Sequence, residues 1–214
     1  MTKKYKTIIW DWNGTLIDDA WLAIEVMNGM LKERNMPLIN LEYYRDIFDF
    51  PVKDYYAKIG FDFSKESFEV VGSEFINLYD QRHFECKLRP NVLNCLSKFE
   101  DAKIEQFVLS ARNHKQLDEE MEFFNIHHHF KTFSGLSHNY AHGKIELGQQ
   151  LIENENITTN KTVMIGDTTH DFEVAQALGI DCILIEGGHH SKNRLKVCNV
   201  KIVEDLTELN QLEF

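Results

Sequence analysis

The chain has 214 residues, 43% of them hydrophobic and 27% charged, with only 3 prolines and 11 glycines. That is room for one ordinary globular domain, or a core carrying a modest inserted lobe, and it excludes a disordered or collagen-like polymer. The 23 basic and 34 acidic residues leave a formal net charge of −11, which repels nucleic-acid phosphates and anionic lipid heads and speaks against a nucleic-acid or membrane partner.

The first apolar run, Thr7 to Trp10, follows a few basic residues and is too short for a signal peptide or a membrane span, so a cytoplasmic protein is expected. It reads as a strand ending in Asp11-Trp12-Asn13-Gly14-Thr15-Leu16-Ile17-Asp18. From about 18 to 87 the pattern is helical only: Ala20, Ile24, Met27 and Leu31 share one helix face, and Phe68, Val71, Phe75 and Leu78 share another. Between them, around Asp46 to Ile59, an aromatic-rich stretch with Phe50-Pro51 suggests a short helix, a turn and a further helix. Strand-like runs then return at Gln106 to Leu109, Thr162 to Ile165, Cys182 to Ile185 and Val200 to Val203. Helix-period stretches (Leu117, Met121, Phe124; Ile145, Gly148, Ile152; Phe172, Ala175, Leu178) lie between the later runs. Gly179 and Gly187-Gly188 mark turns. Such alternation predicts an α/β protein with a parallel sheet. Cys86, Cys95, Cys182 and Cys198 form no CxxC pair and read as reduced packing thiols.

Four segments carry chemistry. Asp11 stands at the C-terminal end of the first strand, the edge where open parallel sheets bind ligands; taken alone, the same residues also fit an Asx turn. Ser110 ends the run in FVLSAR, where a hydroxyl and the following amides can hold phosphate oxygens. Lys144 opens a helix after Gly143 and adds a point charge for the same anion. Gly166-Asp167-Thr168-Thr169-His170-Asp171 follows the run TVMI and supplies two more carboxylates for a hard, magnesium-type oxygen site. Together they describe a phosphoryl-transfer site. A Walker loop around Lys144 is excluded by His138 and Ile145, which stand where that motif needs Gly and Ser or Thr.

These segments resemble, over nearly the whole chain, the haloacid dehalogenase superfamily and its phosphoglycolate phosphatase-like branch. Asp11 to Leu16 matches the DxDGTL motif except at one position, Ser110 the Ser/Thr motif, Lys144 the lysine motif and Gly166 to Asp171 the GDxxxD motif. The resemblance implies a Rossmann-like α/β core (1–17 and 88–214) with an all-helical cap (18–87) inserted after the first strand. It implies a Mg²⁺-dependent phosphatase acting on a small phosphorylated metabolite, with Asp11 as nucleophile through an aspartyl-phosphate. Asp11, the carbonyl of Asn13, Asp167 and Asp171 would hold the metal. Gly14, Thr15, Ser110, Ala111, Arg112 and Lys144 would surround the substrate phosphoryl group.

Asn13 departs from the motif. Phosphatases of this superfamily usually have a second aspartate there, which protonates the leaving group and then activates water; an amide does neither, and such help is worth about 10² to 10⁴ in rate. The readings left open are a substrate with an acidic leaving group (an acyl phosphate or anhydride), a substitute proton carrier among His170, His189 and His190, a phosphate-binding protein with weak turnover, and deamidation of the Asn13-Gly14 pair. Dehalogenase chemistry does not need the acidic loop, and phosphonatase chemistry needs a cap lysine, for which Lys32, Lys53, Lys58 and Lys65 are available. Arg45, Lys53, Arg82 and Arg112 are candidate anion contacts, and Phe48, Phe50, Tyr55 and Tyr56 candidate pocket walls. His127 to His129 read as a solvated turn, and His138 and His142 as loop residues.

Overall fold

The computed structural model describes residues 5–136 and 143–214; His138 and His142 lie outside the described residues. In chain order the elements are β1 (Thr7–Trp10), β2 (Ile17–Asp18), α1 (Ala20–Glu33), α2 (Leu41–Ile47), α3 (Val52–Lys58), α4 (Phe68–Asp80), β3 (Lys87–Leu88), α5 (Val92–Asp101), β4 (Glu105–Asn113), α6 (His114–Phe123), β5 (Thr132–Leu136), α7 (Lys144–Asn154), β6 (Thr162–Gly166), α8 (Thr169–Leu178), β7 (Asp181–Ile185), α9 (Lys192–Leu195), β8 (Lys201–Val203) and α10 (Leu206–Gln211). Six strands form one parallel sheet in the order β5-β4-β1-β6-β7-β8.

All four residues of β1 are buried, as a central parallel strand covered on both faces requires. Its side chains divide by the two-residue period: Ile8 and Trp10 join the apolar cluster on the α5 and α10 face, while Ile9 packs with Leu151, Val174 and Leu178 of α7 and α8. The chain proceeds from β1 to β4 and β5 on one side, then returns to β6, β7 and β8 on the other. β1 is therefore the point where strand order reverses, and a crevice opens beyond its C-terminal end. Trp10 is level with Val108 and Ile165, so Asp11 and Asp167 leave the sheet within one residue of each other's register. Ser110, two residues past Val108, does not end its strand, because β4 runs on to Asn113 and pairs there with Leu136 after a register shift.

The helical insertion has a narrow neck. β2 and β3 pair antiparallel, Ile17 with Leu88 and Asp18 with Lys87, and α1 to α4 lie between them with a 3-10 turn at His83–Glu85. The expected α1 face is buried throughout. On α4 only Val71 of the expected face is fully buried; Phe68 and Phe75 are half-buried because they border the cavity described below. Six elements, β2, β3, α5, β5, α9 and α10, lie outside the expected pattern. Strand β5, with sequence TFSGL, is an edge strand with three half-buried positions, and α5 buries Val92, Cys95, Leu96 and Phe99 on one side. The four cysteines are free thiols. No helix among the described residues is long and apolar enough to cross a membrane.

Candidate active site

Asp11, Asp167 and Asp171 converge at the sheet edge, all buried, with one oxygen of each within 4.8 Å of the others. Lys144 lies between them: its Nζ donates to Asp11 Oδ1 at 2.5 Å and to Asp171 Oδ1 at 2.7 Å. Local structure sets each position. Asp11 directly follows β1 and its N–H donates to Ile165 O. Lys144 is the first residue of α7, behind Gly143. Asp171 closes a capping box at the start of α8, its Oδ2 accepting from Thr168 N at 3.0 Å and Thr168 Oγ1 at 2.7 Å. Asp167 accepts from Thr15 Oγ1 at 3.0 Å and from His189 N at 2.5 Å. The turns that bring these groups so close leave no space for side chains: a Cβ at Gly14, whose φ is +74°, or at Gly188 would collide with the Asp167 carboxylate.

Three carboxylates around one ammonium leave an excess of buried negative charge. Burial and the neighbouring Asp171 push the Asp11 carboxyl up to about 8 against the opposing pull of Lys144. Burial likewise raises Asp167 to about 6, although His189 opposes it. Burial works against ionised Asp171 as well, but Lys144 and its hydrogen bond hold that carboxyl below the usual range. Burial disfavours the Lys144 charge, yet Asp11 and Asp171 together keep it firmly protonated. An all-oxygen donor set with surplus negative charge fits a hard divalent cation.

Asn13 sits beside this cluster within a second network. Its Nδ2 donates to Asp19 Oδ2 at 3.0 Å and to the Tyr79 hydroxyl at 3.1 Å. Asp19 also accepts from Tyr79 Oη at 2.8 Å and Gly14 N at 2.7 Å, and its Oδ1 lies 3.1 Å from His189 Nε2. The other ring nitrogen of His189 lies 2.7 Å from the Tyr44 hydroxyl. Burial opposes a charge on His189, but the Asp19 carboxylate prevails and raises it to about 9. Asp19, Tyr79 and Tyr44 are the residues that sequence reasoning missed. Asp19 carried a faint signal as the second of two aspartates at a helix start, yet its side chain makes no capping bond to α1.

The remaining candidates are placed as follows. Ser110 is buried on the cavity wall, and its Oγ accepts from Arg112 N at 3.0 Å, which leaves the hydroxyl proton to donate. Ala111 lies beside it on the same wall. Gly14 N donates to Asp19 and Thr15 Oγ1 to Asp167, while the Gly14 carbonyl accepts from Arg89 Nη1 at 2.7 Å. Arg112 pairs with Glu120 of α6 and Asp80 of α4. Arg82 pairs with Glu25 and Glu85 at the surface, and Arg45 donates to the carbonyls of Gly187 and Gly188. Of Lys32, Lys53, Lys58 and Lys65, only Lys53 borders the cavity. His190 has Thr169 N and Arg194 Nη1 at its two ring nitrogens. His127 and His129 pair with Asp118 and Glu100 in the 3-10 turn after α6. Above the acidic cluster a cavity of about 1140 Å³ extends up to the aromatic residues of α2 to α4.

The model of the haloacid dehalogenase-like hydrolases matches residues 8–185. The chain belongs to this family. Solved structures share the family fold over nearly all of the chain. A haloacid dehalogenase-like hydrolase from Streptococcus pneumoniae has a TM-score of 0.82 at 21% identity and covers 98% of both chains. A predicted phosphatase from Clostridium acetobutylicum has a TM-score of 0.80 at 21% identity, with 97% of both chains covered. A predicted phosphoglycolate phosphatase from Haemophilus somnus has a TM-score of 0.77 at 17% identity, with 98% of both chains covered. No curated protein matches the sequence.

Proposed function

We propose that the protein is a phosphatase that hydrolyses a small phosphorylated metabolite with Asp11 as nucleophile. The observation that carries this reading is the convergence of Asp11, Asp167, Asp171 and Lys144 beyond the end of the strand where sheet order reverses. Asp11 attacks phosphorus in line, the bond from phosphorus to the leaving oxygen breaks, and water then hydrolyses the aspartyl-phosphate and restores the carboxylate. Lys144 pulls the Asp11 carboxyl toward its ionised form against the effect of burial, and aims it. Ser110 and the neighbouring Ala111 N–H, both within β4, hold the phosphoryl oxygens, and the helical insertion, residues 18–87, covers the substrate. Mg²⁺, held by Asp11, Asp167, Asp171 and the carbonyl of Asn13, would offset the repulsion between a carboxylate and a phosphate dianion.

Phosphate release from a panel of sugar phosphates, phosphoglycolate, nucleotides and acetyl phosphate tests this. Activity is expected with Mg²⁺, is expected to be lost with a chelator, and should fall by at least about 10³ in Asp11→Asn, since the covalent route is then closed. Release unaffected by Asp11→Asn would refute the nucleophile. Asn13 favours a second reading, a phosphate-binding protein of weak turnover; phosphate binding by calorimetry with no release from any panel member would support it instead.

A further inference from the structure

Two independent features narrow what the phosphoryl group is attached to, given that the protein is a phosphatase as proposed above. The first is the supply of protons. Residue 13 is an amide, and both hydrogens of its nitrogen go to Asp19 and Tyr79. Asp19 is surrounded by four donor groups, Gly14 N, Asn13 Nδ2, Tyr79 Oη and His189 Nε2. Both nitrogens of His189 and both of His190 are within 3.1 Å of fixed partners. His170, also on the cavity wall, has its ring against Phe50 at 4.7 Å. The groups next to Asn13 thus border the cavity with their hydrogen bonds already made to one another.

The second feature is the wall opposite the acids. Phe48, Phe50, Tyr55, Phe68 and Phe75 border the cavity there. Its cations are spoken for: the Arg112 guanidinium pairs with Asp80 and Glu120, and the Lys53 ammonium lies over the rings of Phe63 and Phe68 at 5.6 and 6.0 Å. Asp54 and Glu69 add negative charge to the same wall. A second anionic group on the substrate, such as the carboxylate of phosphoglycolate, would meet rings and carboxylates; a flat uncharged ring would meet faces and edges suited to it. At about 1140 Å³ the cavity has ample room for one.

We infer that the substrates are aryl phosphates, in which phosphorus is bonded to a phenol-type oxygen on an uncharged ring. Asp11 forms its bond to phosphorus as the bond to the aryl oxygen breaks, and that oxygen leaves with the electron pair as a phenolate. Phenols have a pKa of about 10, far below that of an alkanol, so the phenolate departs unprotonated and takes its proton from water after release. An alkyl phosphate, which needs the missing acid, forfeits about 10² to 10⁴ in rate.

The test is kcat/KM of the full chain with Mg²⁺ on phenyl phosphate and cyclohexyl phosphate, matched in size but not in leaving-group acidity, with phosphoglycolate, acetyl phosphate and a series of ring-substituted phenyl phosphates alongside. Phenyl is expected to exceed cyclohexyl by at least about 100-fold, with rates rising as the phenol becomes more acidic. Phenyl phosphate is also expected to exceed phosphoglycolate and acetyl phosphate, and Phe75→Leu to raise KM for phenyl phosphate more than for acetyl phosphate. Cyclohexyl phosphate or phosphoglycolate turned over as fast as phenyl phosphate overturns the inference while the phosphatase reading stands; loss of that alkyl activity in His170→Gln would then identify the proton source. Acetyl phosphate preferred over every aryl compound, with Phe75→Leu affecting both alike, overturns the aromatic assignment. No release from any compound overturns the phosphatase reading, and the inference with it.

Discussion

Asn13 is held by two hydrogen bonds, to Asp19 at 3.0 Å and to the Tyr79 hydroxyl at 3.1 Å. An aspartate in its place would bring a second carboxylate within about 3 Å of Asp19 in a buried setting, where two like charges cannot both persist. Asn13→Asp alone is therefore expected to lower stability by about 1 to 3 kcal/mol in urea titrations. The exchange Asn13→Asp with Asp19→Asn should be more stable than that single variant, because an amide again faces a carboxylate; a single variant as stable as the parent would contradict this. His190 gives a pH signature. Burial and the adjacent Arg194 push its imidazole down to about 3, so it stays neutral in the folded chain, whereas the unfolded chain binds a proton near 6.5. Its contribution to stability is present above about pH 6.5 and is lost as pH falls toward 3. The denaturation midpoint of His190→Gln should accordingly fall less steeply with acid than that of the parent.

Among the elements, α8 carries the clearest wager. Thr168 caps it, and the reciprocal bond holds Asp171 in position for Lys144. Thr168→Ala should cost about 1 kcal/mol in chemical denaturation and also raise the Mg²⁺ concentration needed for half-maximal activity. A cap serving stability alone would move the first measurement and not the second. The elements legible in the sequence are those buried on both faces or strongly periodic. β1, β6 and β7 read as short apolar runs, and α1 as a continuous stripe. β5 did not show, because an edge strand of Thr, Ser and Gly lacks such a run. The acidic cluster was legible because Asp11, Lys144, Asp167 and Asp171 are each tied to a local signal, a strand end or a helix start. The Asp19 network was not, because its partners are 60 and 170 residues away and only the tertiary fold brings them together.

Across the whole molecule, a few bonds fasten the helical insertion to the sheet. Arg45 donates to the carbonyls of Gly187 and Gly188, Ser191 N donates to Arg45 O, and Arg194 bonds Phe48 O and pairs with Asp49. Arg112, at the other side of the cavity, ties α4 to α6. Since Gly188 packs against Asp167, loosening this seam reaches the site. Arg45→Ala is expected to raise KM several-fold while the urea midpoint moves little; an unchanged KM would show that the seam has no part in holding substrate. The neck formed by β2 and β3 has a separate consequence. Its two strands place the entry and exit of the insertion side by side, Asp18 against Lys87. Everything threaded between them is a loop in the topological sense, free to lengthen, shorten or be exchanged without altering how any sheet strand finds its neighbour. The strand order of the sheet is thus set without reference to what lies between residues 18 and 87.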